Sequence, residues 1–206
     1  YTAVSIYFPI IDVDSSGQMT YDPSTCELTM TAWDNRITYS PNNFELLTYP
    51  GNFETKFELK VKINPSTGEI DPTGNNYMKE WVTLGTVTIN PPGIGTLTFG
   101  QGTVLLYGTV TDFWYDPGAG YKGFSFLVDI DPSQSALDDS GLWPVTYPTG
   151  IRGYKVNGTG DWDWTSKWTY SISSSEKGPT PEPATLLLLG TGVAGIAGAI
   201  FRRRKK

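Results

Sequence analysis

The 206 residues carry 15 Lys and Arg against 21 Asp and Glu, one cysteine and no histidine, for a net charge of −6. These counts exclude an intramolecular disulfide, a Cys/His zinc site and any nucleophile activated by histidine. Up to Lys177 ten cations face twenty acids, a net of −10, and a surface of that sign repels phosphate backbones, which argues against nucleic acid as a partner.

In chain order, residues 1–11 read as a first strand. They begin at Tyr1 with no basic-then-apolar leader, so the outward orientation argued below leads to the expectation of a signal peptide in the precursor. Residues 12–17 form a turn, and 18–21 pair with 27–32 across Asp22-Pro23-Ser24-Thr25 in the clearest hairpin of the chain. Cys26 follows that turn and is read as a small buried residue, with an intermolecular disulfide as the alternative. Residues 44–48 and 53–63 are two further strands. The second alternates Phe57, Leu59 and Val61 with Lys56, Glu58, Lys60 and Lys62, one face for a core and one for water.

Strands are then predicted over 81–89, 96–99, 103–114 and 123–130, each bounded by Gly or Pro. Residues 137–175 hold most of the tryptophan, and 164–172 read as the closing strand. Helix signals are nearly absent, and half-apolar sheets must hide one face against another. The fold class is therefore all-β, an antiparallel β-sandwich ectodomain over residues 1–172, with a polar linker over 173–180 and one C-terminal transmembrane helix.

That helix is read over residues 184–201, which contain no charge. At ~1.5 Å per residue they span roughly 27 Å, close to the ~30 Å hydrocarbon core, so membrane lipid is a partner of this segment. Arg202, Arg203, Arg204, Lys205 and Lys206 stay cytoplasmic by the positive-inside bias, which puts the body on the opposite side. Just before the span, two prolines hold Glu182 extended, a form easily presented to a protease.

The order Pro181-Glu182-Pro183, apolar helix 184–201 and basic cluster 202–206 resembles the PEP-CTERM sorting signal. The resemblance covers the chain from 181 to 206. It implies export in a bacterium with a Gram-negative type envelope, and recognition by exosortase, a membrane-embedded cysteine protease or transpeptidase. It further implies processing near the tripeptide and association with extracellular polysaccharide or biofilm. The stretch from Gly17 to Ala32 also resembles a unit common in exported proteins with this tail, a Gly-x-x-Thr-Tyr-Asp run followed by a Leu-Thr-x-Thr-Ala strand.

Three constellations could carry chemistry in the body. Asp12, Asp14, Ser16 and Gly17 match the opening of a calcium loop, but Pro23 stands where a bidentate acid is needed. Asp129, Asp131, Asp138 and Asp139 are other oxygen donors, so calcium is the one cofactor with candidate ligands. Asp161, Trp162, Asp163, Trp164 and Trp168 could stack on and hydrogen-bond to sugar rings, while the shared parity of the tryptophans suits a core equally, and burial is the commoner fate of Trp. Finally, any two of the body carboxylates could flank a glycosidic bond, yet no motif marks a pair. The reading is a non-enzymatic exported surface or matrix protein, with a carbohydrate-binding module and, more remotely, a glycosidase as alternatives.

Overall fold

The computed structural model describes residues 6, 8–13, 17–47, 54–116, 123–144, 147–156 and 162–180. Strands β1 (Ile10–Val13), β2 (Gln18–Asp22) and β3 (Glu27–Ser40) open the chain, followed by β4 (Asn43–Leu46) and β5 (Glu54–Lys62). After β6 (Tyr77–Leu84) come a hairpin of β7 (Thr86–Ile89) with β8 (Leu97–Gly100), then β9 (Val104–Tyr115) and β10 (Gly123–Ile130). A 3-10 turn (Pro132–Gln134) and the short helix α1 (Ala136–Asp139) lead to β11 (Thr149–Val156) and β12 (Trp168–Pro179).

Local sequence explains most of these boundaries. The predicted hairpin pairs Gln18 with Thr31 through Asp22 with Glu27, and the Asp22 carboxylate accepts from Ser24 N–H at 2.9 Å to hold the turn. Cys26 takes a left-handed φ of 58° at its end and is half-buried, not fully buried as expected. On β5 the alternation is regular, with Thr55, Phe57, Leu59 and Val61 inside and the charged residues outside. The strand predicted over 81–89 instead breaks at Gly85 (φ 67°) into β6 and β7, because a left-handed residue cannot continue a ladder.

Tertiary pairing decides the rest. The antiparallel ladder runs β3, β5, β6, β9, β10, β11, β12 in chain order. β12 then pairs with β2 from Trp168↔Tyr21 and with β1 at Ile11↔Lys177, while β3 pairs with the same two strands from its other side. β1 and β2 are thus two halves of one wall strand, and the sheet closes. Counting them as one and leaving β4 outside the ring, the ten-stranded sheet makes eight wall positions.

All-β and antiparallel hold, therefore, while the two packed sheets expected of a sandwich are opposite walls of one up-and-down barrel. The physical reason lies at β12. Residues 173–180, expected to be a polar linker, belong to that strand as far as Pro179, and their pairing with β1 and β11 joins the edges a sandwich would leave open. Ser175, Lys177 and Thr180 are buried, and the Thr180 N–H donates to the Pro148 carbonyl at 2.8 Å.

The barrel interior is one continuous core, from Tyr21, Phe124 and Phe126 through Met19, Met30, Phe57 and Met78 to Leu106 and Ile151. The β7–β8 hairpin, α1 and Trp143 cover the end where β12 finishes; Trp143 is 1% exposed and donates its indole N–H to Thr149 Oγ1 at 2.8 Å. Among the described residues no helix is long and apolar enough to cross a membrane; the predicted span over 184–201 lies outside them.

Candidate functional site

β12 runs between two structurally different ends of the barrel. It starts at Trp168 beside an aromatic plug and finishes, roughly 37 Å further on at 3.4 Å per residue, at Pro179 where the C-terminal tail departs.

At the first end Trp162, Trp164 and Trp168 are 6%, 7% and 9% exposed. Trp164 meets Tyr21 edge-on at 5.0 Å, and Trp162 packs against Tyr115 at 5.2 Å and Phe113 at 5.8 Å. Polar tips find partners inside the plug: Tyr21 Oη donates to the Trp164 carbonyl at 3.2 Å, and Trp164 Nε1 to Tyr115 Oη at 3.2 Å. The structure thus brings the three predicted tryptophans together as core, with their faces occupied by other rings. Asp163 does not join them. Its carboxylate turns outward to accept from Ser166 Oγ and, at 2.8 Å, from Thr165 N–H, bonds that hold its pKa down to about 2. Asp161 lies outside the described residues.

Beside the plug the structure opens a cleft of about 410 Å³ that sequence reasoning missed, between the loop at Gly68–Ile70 and residues 111–115 of β9. Glu69, Asp112, Trp114 and Tyr115 line it, and Trp114 is 37% exposed. Burial, and then the charge of Asp129, push the Asp112 carboxyl above its ordinary pKa. Gly68 shapes the wall: at φ 74° a Cβ there would lie 2.0 Å from Tyr115 Oη. Only the outward phase of Trp114 on an alternating strand could have signalled the cleft, and the facing loop is remote in sequence.

The predicted calcium donors are dispersed. Asp12 accepts from Arg36 Nε at 2.7 Å, and Asp131 caps the 3-10 turn through Ser133 N–H at 2.9 Å and Gln134 Nε2 at 2.6 Å. Asp129 projects from the outer face of β10, and Asp14 lies outside the described residues. Among the described residues no group of three or more His, Cys, Asp or Glu side chains could hold a metal ion.

Toward the other end a charged cluster is enclosed in the barrel. Lys177 Nζ donates to Asp34 Oδ1 at 2.6 Å and Glu80 Oε2 at 2.5 Å, with all three side chains 0% exposed and the Phe57 ring centroid 4.4 Å from the amine. Asp34 Oδ2 and Glu80 Oε1 have no hydrogen-bond partner. Burial, reinforced by Glu80, lifts the Asp34 carboxyl to about 8. Burial also opposes the Lys177 charge, but Asp34 and Glu80 outweigh it and leave the ammonium above its ordinary pKa. A single cation between two carboxyls carries no net charge only if the carboxyls share one proton, and a low-dielectric core favours that state.

Beyond Thr180 the chain enters Pro181-Glu182-Pro183 and the cluster Arg202–Lys206, all outside the described residues. The family model of the PEP-CTERM protein-sorting motif matches residues 179–205. The chain therefore carries a sorting motif of this kind at its C-terminal end, which implies an exported precursor with exosortase as its processing partner and the cell surface as its destination. No curated protein and no solved structure matches the chain.

Proposed function

We propose that the barrel is a non-enzymatic surface or extracellular-matrix domain of a Gram-negative type bacterium, delivered through its tail and associated with exopolysaccharide in a biofilm. In this reading residues 184–201 cross the inner membrane and 202–206 remain in the cytosol until exosortase cuts near Glu182. The supporting observation is the overlap of the sorting motif, which starts at residue 179, with the last strand of the barrel. The test is Glu182→Gln in the native host, followed by the mass and location of the product. The unaltered chain is expected at the surface without its tail, and the variant at full length in the membrane. Two products of equal mass, both held in the membrane, would replace the sorting role with a simple anchor.

A carbohydrate-binding reading is favoured by the cleft, where the half-exposed Trp114 and the acids Glu69 and Asp112 stand at the end of the barrel away from the tail. An aromatic face with adjacent carboxylates suits a sugar ring and its hydroxyls. Retention on matrix polysaccharide that Trp114→Ala abolishes would support it, and no retention of the native chain would remove it. Glycoside hydrolysis is the remote alternative: polysaccharide turnover lost in Asp112→Asn would displace the non-enzymatic reading.

A further inference from the structure

The enclosed cluster has the parts needed for a covalent bond. An amine and a carboxyl lie in contact at 2.6 Å, a second carboxyl touches the same amine at 2.5 Å, and no water-exposed surface remains on any of the three. Enforced contact of this kind turns a bimolecular condensation into a unimolecular one, with effective molarities up to about 10⁵–10⁸ M in well-oriented cases. The closed wall holds the partners in place, since Lys177, Asp34 and Glu80 sit on β12, β3 and β6 respectively.

We propose that Lys177 and Asp34 condense into an intramolecular amide, Nζ to Cγ, with Glu80 carrying the proton between amine and leaving oxygen. Starting from the neutral arrangement of ammonium, Glu80 carboxylate and Asp34 carboxylic acid, the ammonium passes one proton to Glu80. The free amine lone pair then attacks the Asp34 carbonyl carbon. Glu80 delivers its proton to an Asp34 oxygen and takes the second proton from nitrogen, so a carbon–oxygen bond breaks and one water leaves. The products are a secondary amide, water and a protonated Glu80; atoms and charge balance with no oxidant or co-reactant.

Burial supplies the drive. Three desolvated ionisable groups with two unpartnered oxygens become an amide and a neutral acid that can hydrogen-bond each other. Burial, reinforced by Glu80, raises the Asp34 pKa and so favours the protonated form that an amine can attack. A cavity of about 10 Å³, on the scale of one water, borders Glu80 and offers the first step of an exit. The bond would tie the strand that carries the sorting tail to β3 across β1, so that tension on the tail would meet a covalent ring instead of a row of hydrogen bonds.

Denaturing intact-mass measurement of the full chain tests this against Lys177→Arg. After allowing for the substitution, the native chain is expected one water lighter, and its proteolytic digest should contain one branched peptide joining the segments of Asp34 and Lys177. Glu80→Gln should fold by circular dichroism yet keep the missing water; should it not fold, the branched peptide decides alone. No deficit in the native chain, a deficit that persists in Lys177→Arg, or equally fast branching in Glu80→Gln overturns the proposal. None of these readings depends on where the tail directs the protein, so failure here leaves the sorting role untouched, and the reverse.

Discussion

Lys177 stands between two carboxyls that water cannot reach, and its loss would leave their shared negative charge buried without a partner. Lys177→Met is expected to cost about 3–5 kcal/mol of stability, the usual price of removing one partner from a buried ion pair, read as a lower urea midpoint. Gly68→Ala should cost more than about 1 kcal/mol, because φ is 74° and the added methyl collides with Tyr115 Oη. The same change should alter the cleft beside Trp114. Neither residue announces itself in sequence: Lys177 sits in a Ser-rich run that reads as a linker, and Gly68 ends a turn that any small residue would suit. Their importance comes from side chains distant in the chain, Lys177 and Asp34 being 143 positions apart.

β12 extends seven residues beyond the strand that local sequence predicts, to Pro179 in place of Ile172. Cutting the chain after Ile172 would spare the domain if 173–180 were a linker, whereas the strand predicts an opened barrel. The truncated chain should lose its cooperative thermal transition and expose its indoles, seen as red-shifted tryptophan fluorescence. Two loops at the plug end add a pH dependence. Asp163, through Ser166 and Thr165, and Asp71, through Thr73 and then Lys62, are each held down to about 2 from an ordinary 3.8. Carboxyls depressed in the folded state stabilise it fully above 3.8 and lose that contribution as pH falls toward 2. An acid titration followed by thermal melting should show the drop in that window, shifted in Asp163→Asn. The β2–β3 hairpin and the alternation of β5 were legible because turn chemistry and strand period act between neighbours.

For the whole molecule, ring closure places the plug and cleft at one end and Pro179, where β12 finishes, at the other. If the Lys177–Asp34 amide forms, it closes a loop of 143 residues and should stabilise the native chain over Lys177→Arg by about 5 kcal/mol through loop-closure entropy, read as a higher midpoint in urea. Composition and local pattern determined the all-β class, the acidic body and the absence of histidine chemistry, and resemblance to a known sorting signal marked the address at residues 181–206, since each is written in contiguous residues or in totals. Only the tertiary structure decided that the sheet closes, that Trp162, Trp164 and Trp168 face inward, and that Lys177 meets Asp34 and Glu80. Those outcomes depend on which strands become neighbours, and alternation says which side of a strand is buried without saying what it is buried against.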